Sequence, residues 1–166
     1  RSMSVDYRLG PVSEKAFQEI VAQGLDLPEK PVSGLPKLPD SLTNMSDVEL
    51  MESYAEFVAW SDYTTSQVAA AAIDERAAQA NLDAKEAEVM LREWTGKTGD
   101  RVTLQKAKAA ADPEIIEARK AVDERYAYRK LAESIATAME RNAQMLSREL
   151  TRRTSFEKTT TRGRHL

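Results

Sequence analysis

The feature that most constrains this chain is a stretch from residue 46 to 95 that contains neither glycine nor proline. It opens on Ser46-Asp47-Val48-Glu49, a capping box with Ser at the N-cap and Glu three residues later. Glycine and proline are the residues that most disfavour a helix interior, so the stretch predicts one helix over about 47–95. Such a helix is roughly 73 Å long at about 1.5 Å per residue. A helix far above the usual length needs a partner surface along it.

Two sets of small and apolar residues recur along this helix. The first has heptad-like spacing and comprises Ile73, Ala77, Ala80, Ala84, Ala87, Leu91 and Trp94. The second comprises Leu50, Tyr54, Phe57, Thr64, Val68, Ala78, Leu82 and Val89. Small residues at heptad spacing let two helices approach closely, so we predict that the first set is an oligomer interface. The second set then makes the intramolecular contact, unless both sets form one broad buried face.

A second long helix begins at Asp112-Pro113-Glu114, where Asp is the N-cap, Pro takes the first helical position and an acid follows. We predict that it runs over about 113–152. A turn at 96–100 and a short helix of about 102–111 connect the two long helices. The turn contains Gly-Lys-Thr, but Leu91 replaces the earlier glycine that a phosphate-binding loop requires. No segment shows strand alternation, so the predicted fold is all-α: a long antiparallel, coiled-coil-like helical hairpin.

The N-terminal region differs in composition from the hairpin. Ser13 can cap a short amphipathic helix of about 14–23 that Gly24 ends. Four prolines between 28 and 39 predict an extended connector. The expected organisation is an N-terminal arm over 1–42, a helical hairpin oligomerisation domain over 43–153 and a basic flexible tail over 154–166. The arm could dock on its own domain or on a neighbouring subunit.

The composition excludes most enzyme chemistry. The chain has no Cys, and its one His is His165. A thiolate nucleophile, a Ser–His pair and a multi-His metal site are therefore not expected. No carboxylate pair forms a catalytic pattern, so we expect a protein that is not an enzyme, with no catalytic residue, metal or cofactor. No apolar run approaches the ~20 residues of a membrane span, which predicts a cytoplasmic protein without a membrane partner.

The net charge of −3 conceals a gradient along the chain. Residues 1–100 carry 9 basic and 18 acidic side chains and residues 101–166 carry 15 and 9, so the net charge changes from −9 to +6. The predicted last helix repeats a basic residue every eleven positions, which places these residues along one line. The candidate nucleic-acid-binding residues are Arg119, Lys130, Arg141, Arg148, Arg152, Arg153, Lys158, Arg162 and Arg164.

This basic line lies away from an apolar stripe on the same helix, formed by Tyr128, Leu131, Ile135, Leu146 and Leu150. Spaced Lys and Arg on one face suit a phosphate backbone, and Phe156 could stack on an unpaired base. A solvated face, or a surface that docks on acidic helices, is the alternative interpretation.

Over roughly residues 50–157 the layout resembles the UvsY-like family of phage recombination mediators. The resemblance lies in the aromatic segment Tyr54–Trp60, the Gly/Asp turn 96–100, the Ala111-Asp112 helix start, the basic segment from Glu140-Arg141-Asn142-Ala143 to Arg152, and Phe156-Glu157. It implies a helical, ring-forming homo-oligomer that binds single-stranded DNA. Its implied partners are a RecA-like recombinase and a single-strand-binding protein, in the host cytoplasm if the chain is phage-encoded.

The chain departs from that family in one region. The family's DNA-binding Lys and Arg lie in its first long helix, whereas 74–88 here is acidic and Ala-rich, with only Arg76 and Lys85 basic. We therefore expect the last helix and the tail to carry DNA binding. Two other functions stay open: a structural assembly protein, such as a scaffold or adaptor that self-associates without nucleic acid, and a regulator that recognises a partner through its arm.

Overall fold

The structure is a computed structural model that describes residues 8–93 and 102–162, with side chains described to residue 160. These residues form α1 (Pro11–Ala22), a short 3-10 helix (Leu42–Asn44), α2 (Asp47–Arg92), α3 (Val102–Ala111) and α4 (Pro113–Arg162). No strand occurs among them, and the all-α prediction is confirmed. The predicted turn over 96–100 lies outside the described residues.

Local capping groups explain where α2 and α4 begin. Ser46 N–H donates to Glu49 Oε2 at 2.8 Å, and Glu49 N–H donates to Ser46 Oγ at 3.2 Å. Hydrogen bonds from the Ser46 backbone and hydroxyl lower the pKa of Glu49 below its ordinary value. At α4, Glu114 N–H donates to Asp112 Oδ1 at 2.9 Å. Both predicted helix starts are confirmed, because each cap satisfies backbone donors that have no partner inside the helix.

Helix α1 begins earlier than the sequence predicts. Its N-cap is Gly10, and Ser13 lies in the first turn, where its Oγ accepts the Gly10 N–H at 3.0 Å. The predicted end is confirmed: Gly24 has a φ of +77°, a left-handed conformation that glycine adopts without steric cost. Leu25 N–H donates to the Ile20 carbonyl and Gly24 N–H to the Val21 carbonyl, which closes the helix in a Schellman motif.

Helix α4 continues well beyond the predicted end at residue 152 and into the segment predicted to be a flexible tail. Its Ser- and Thr-rich part contains no Gly or Pro before Gly163. The hydroxyls of Thr151, Thr154, Ser155, Thr159 and Thr160 each donate to the carbonyl four residues earlier, at 2.8–2.9 Å. Such bonds satisfy the hydroxyls within a helix, so a run of Ser and Thr is compatible with a helix here.

The chain divides into two compact units, and the long helices contribute to both. The first unit comprises Arg1–Asp26 and Val68–Leu131, and the second comprises Leu27–Gln67 and Ala132–Leu166. This grouping differs from the arm, hairpin and tail predicted from composition, because α1 belongs to the same unit as residues 68–131.

The core of the first unit is formed by side chains of α2, α3 and α4. Leu82 and Val89 of α2 cluster with Ala109 of α3 and with Ile115 and Ala118 of α4. The ion pairs between the long helices join positions that ascend on α2 and descend on α4: Glu75 with Arg129 and Lys85 with Glu114. This order shows that α2 and α4 run antiparallel within the unit.

Helix α1 docks on its own chain in the first unit. Gly10 N–H donates to Asp74 Oδ2 at 2.8 Å, and a Cβ on Gly10 would lie only 2.6 Å from Asp74 Oδ1. Phe17 is buried, and the Arg8 guanidinium lies 4.5 Å from the centre of the Tyr128 ring. Of the two predicted docking modes of the arm, this is the intramolecular one.

The second unit has its own buried residues. These are Leu50, Phe57, Trp60, Tyr63 and Thr64 on α2, and Met139, Ala143 and Leu146 on α4. Trp60 and Tyr63 meet edge to face with ring centres 5.9 Å apart. Leu50, Phe57 and Thr64 in this unit and Leu82 and Val89 in the first unit are buried. Most of the second apolar set of α2 therefore faces the interior of its unit. Residues 27–41 contain no helix or strand, which agrees with the helix-breaking effect of their prolines.

Candidate nucleic-acid interface

The part of α4 in the second unit presents basic side chains that are not engaged by acids. Arg141 and Arg148 are exposed and make no hydrogen bond or ion pair with any residue that the structure describes. They lie seven residues apart, two helical turns, on the same side of α4. Lys158 is exposed further along the helix and likewise has no partner among the described side chains. Cations of this kind can contact an external anion without first breaking an internal pair.

Arg152 is exposed but held within α4. Its guanidinium donates to both carboxylate oxygens of Glu149, at 2.8 and 2.7 Å, and lies 5.8 Å from the centre of the Phe156 ring. The predicted aromatic of the tail, Phe156, is itself exposed. Arg152 therefore combines an internal pair with an outward surface that an anion can reach.

Arg153 has an internal role that the sequence does not reveal. It donates to Asp47 Oδ1 at 2.6 Å, to Glu149 Oε1 at 3.0 Å and to the Leu42 carbonyl at 3.1 Å. Its side chain is only 20% exposed. The guanidinium connects α4 to the 3-10 helix and to the first turn of α2, so its donors are not directed at an external ligand.

Glu149 lies between these two arginines. Hydrogen bonds from Arg152 and Arg153 lower the pKa of Glu149 from 4.5 to about 2. The same contacts raise the pKa of Arg152, through Glu149, and of Arg153, through Asp47 and Glu149. All three groups are consequently charged at neutral pH.

The basic residues predicted in the first unit are engaged differently. Arg119 Nη2 donates to Glu86 Oε1 on α2 at 3.0 Å, although its side chain remains 50% exposed. Lys130 Nζ lies 5.8 Å from the centre of the Tyr126 ring. The neighbouring Arg129 forms an ion pair with Glu75, and both side chains are mostly buried. Arg119 and Arg129 therefore connect α4 to α2, whereas Lys130 lies near an aromatic ring of its own helix.

The remaining predicted site residues fall at the ends of the described segments. The side chain of Arg162, together with Arg164 and Trp94, lies outside the residues that the structure describes. The candidate residues on α4 therefore have different environments. Arg141, Arg148 and Lys158 are the candidates that are exposed without a partner among the described residues.

The predicted oligomer interface lies in the first unit and is open in the single chain. Ile73, Ala80, Ala84, Ala87 and Leu91 are exposed, and Ala77 is half-buried. Leu91 is 78% exposed, although it is a large apolar side chain. This uncharged seam, defined as Ile73, Ala77, Ala80, Ala84, Ala87 and Leu91, is mostly exposed among the described residues. Most of the second apolar set of the same helix is buried, namely Leu50, Phe57, Thr64, Leu82 and Val89.

A groove of about 390 Å³ lies between α2 and α4 in the second unit. Its α2 side is formed by Tyr54, Val58, Ser61 and Asp62, and its α4 side by Glu140, Ala143, Gln144, Ser147 and Arg148. The sequence did not identify this groove, because it depends on which positions of two distant segments lie opposite each other. The free Arg148 belongs to its wall.

The residues described contain no group of three or more acidic or His side chains that could hold a metal ion. Nor is any helix within 8–93 and 102–162 long and apolar enough to cross a membrane. No family model, curated protein or solved structure matches the chain.

Proposed function

We propose that this protein is a non-enzymatic recombination mediator of the phage type. It binds single-stranded DNA as a homo-oligomer in the cytoplasm and helps to load a RecA-like recombinase onto strands covered by a single-strand-binding protein. The observation that carries the proposal is the pair of exposed, unpaired arginines, Arg141 and Arg148, on one side of α4. Exposed arginines could bind many anions; the resemblance of the sequence to UvsY-like mediators is the reason for proposing single-stranded DNA.

Unpaired arginines favour a phosphate partner for a physical reason. A guanidinium presents several N–H donors in a planar fork that matches phosphate oxygens. Neutralising phosphates releases counterions, so binding weakens steeply as the salt concentration rises. Arg152 and Lys158 extend the positive surface of α4 in the second unit.

Self-association would multiply these weak contacts. The uncharged seam of the first unit offers a surface on which a second copy can pack at close range. Several subunits that present Arg141 and Arg148 to one strand raise the overall affinity through effective concentration, without any new contact. A ring is the arrangement that the resemblance implies.

The first test is the binding of a fluorescently labelled single strand to the wild-type chain, followed by anisotropy at several salt concentrations. The proposal predicts binding at low salt, with log affinity falling linearly with log salt by about 0.7 per phosphate contacted. Absence of binding at low salt would contradict it.

The second test addresses mediation itself. A RecA-like recombinase is added to a strand already covered by a single-strand-binding protein, and its ATPase activity is followed over time. The proposal predicts a shorter lag in the presence of the chain, and no shortening on a bare strand, where nothing has to be displaced. An unchanged lag on the covered strand would limit the function to DNA binding.

A second candidate function is an assembly protein whose helices associate without nucleic acid. The exposed seam favours it, because the seam requires only another copy of the chain. Mass measurement in solution, with and without a short single strand, separates the two functions. Oligomers that dissociate in high salt and show no DNA affinity would support assembly alone.

A further inference from the structure

The groove between α2 and α4 in the second unit is lined by apolar, aromatic and cationic groups that one ligand could contact together. Val58 is half-buried and Ala143 is buried, so the groove has an apolar floor. Tyr54 contributes an aromatic ring, and Arg148 contributes a free guanidinium. Its size lies within the range of about 300–1,000 Å³ that is usual for small-molecule sites.

The acids in the groove restrict what can enter it. Asp62 and Glu140 both line the groove and are exposed, and Glu140 accepts a hydrogen bond from Gln144 at 3.3 Å. The two exposed carboxylates repel a phosphate from the part of the groove that they line, whereas Arg148 attracts a phosphate to its own position. The ligand should therefore be uncharged where it enters the groove and anionic where it meets Arg148.

An unpaired nucleotide has this distribution of charge. Its base has flat apolar faces that stack on an aromatic side chain, and its edge carries donors and acceptors. Carboxylates accept hydrogen bonds from the amino groups of cytosine and adenine. The hydroxyls of Ser61 and Ser147 and the amide of Gln144 can serve as donor or acceptor.

We propose that this groove binds one unstacked nucleobase of a single strand, with Tyr54 as the stacking surface and Arg148 on the adjoining phosphate. The inference rests on the proposed function and extends it from phosphate contact to base contact. Arg141, about 10 Å from Arg148 along α4 at about 1.5 Å per residue, holds a phosphate further along the strand. The groove thereby distinguishes single strands from duplexes, in which bases are stacked and paired.

The wild-type chain alone can test this inference. Affinity is measured by anisotropy for a single strand of about 16 nucleotides and for a strand of equal length and charge whose sugars carry no bases. Base contact predicts that the abasic strand binds at least about 5-fold more weakly, the smallest loss expected when one stacked base is removed. The loss is larger where several subunits each hold a base. Equal binding of both strands overturns the inference and leaves phosphate binding intact. Failure of both strands to bind overturns the proposed function as well.

Variants then assign the effect to the groove. Tyr54→Phe keeps the ring and should retain the preference for the strand with bases, whereas Tyr54→Ala should lose it. The affinity of Tyr54→Ala for the abasic strand should stay close to that of the wild type, which shows that the variant remains folded and keeps its phosphate contacts.

Two further outcomes would decide against a base in the groove. If Tyr54→Ala weakens both strands equally while circular dichroism is unchanged, the tyrosine acts on assembly or phosphate contact. If Tyr54→Ala binds the strand with bases as strongly as the wild type does, no base stacks on this ring. Either result overturns the inference.

Discussion

The two compact units contrast in how they hold the candidate nucleic-acid-binding residues of α4. In the first unit, cations pair with acids of another segment: Lys85 with Glu114 at 3.4 Å, Arg92 with Asp112 at 3.8 Å and Arg119 with Glu86 at 3.0 Å. This unit also leaves most of the uncharged seam exposed, together with the cations Arg76, Lys106 and Lys120. In the second unit, by contrast, Arg141 and Arg148 are exposed without a partner.

The difference teaches that a count of basic residues does not locate an anion-binding surface. A paired guanidinium must break an internal contact before it binds phosphate, and a free one does not. The comparison suggests a division of roles, with self-association through the first unit and DNA contact through the second. The following changes test that division.

The largest effect is expected from charges placed in the seam. Ala80→Glu with Ala84→Glu should reduce the oligomer to a monomer in mass measurements, because two carboxylates per subunit would face each other at close range. Both alanines are exposed in the single chain and Glu is a good helix former, so the helical signal should be retained. The matched control, Ala107→Glu with Ala110→Glu on exposed positions of α3, should keep the wild-type mass. Equal masses for both variants and the wild type would exclude the seam as an interface.

The next effect concerns the buried side of the same helix. Leu82 is 6% exposed in the core of the first unit, and Leu82→Ala should cost about 2–5 kcal/mol of unfolding free energy through lost burial and a cavity. Urea denaturation measures this cost. A cost below about 0.5 kcal/mol would mean that the second apolar set is not the intramolecular core.

A smaller stability effect should separate paired from free arginines. Arg129→Ala removes the mostly buried partner of Glu75 and should cost about 1.5–3 kcal/mol. Arg148→Ala, at an exposed site without a partner, should change stability by less than about 0.5 kcal/mol. Similar losses for both variants would show that Arg148 has a structural contact of its own.

The smallest effect is expected in the pH dependence of the stability that Glu149 contributes to the fold. Since its pKa is lowered from 4.5 to about 2 in the folded chain, its contribution to stability is present above pH 4.5 and is lost as the pH falls toward about 2. Glu149→Gln should therefore melt at a lower temperature than the wild type at pH 7, and the two should converge near pH 2. A difference that stays constant over this range would show that the ion pairs with Arg152 and Arg153 do not stabilise the fold.

Much of the secondary structure was predictable because its signals are local. The capping box at Ser46, the N-cap Asp112 and the terminating Gly24 each act within a few residues, and all three are confirmed. The early start of α1 was missed, since Ser13 acts in the first turn instead of at the N-cap. The sequence does not predict the extension of α4, because Ser and Thr are typical of tails, whereas here their hydroxyls bond within the helix.

The predicted site depends on contacts that lie far apart in sequence, and it was predicted less well. Arg153 bonds to Asp47, 106 residues away, and Arg119 to Glu86, so periodicity alone could not show that these cations are engaged. Leu131 and Ile135 were assigned to the apolar stripe of the last helix, yet they are 69% and 43% exposed. Periodicity identifies a face of a helix, but only the partner segment determines whether that face is covered.

The central claim is that free cations on α4 of the second unit form the DNA contact, and one measurement tests it directly. The single-strand affinity of Arg141→Ala/Arg148→Ala/Lys158→Ala, which removes three exposed cations without a partner, is compared with that of Lys85→Ala/Arg92→Ala/Lys108→Ala, which removes three charges that pair within the first unit. We predict that the first variant binds at least about tenfold more weakly and that its salt slope falls by about 2. The second should stay within about twofold of the wild type. Equal losses in the two variants would contradict the claim, because net charge alone would then account for binding.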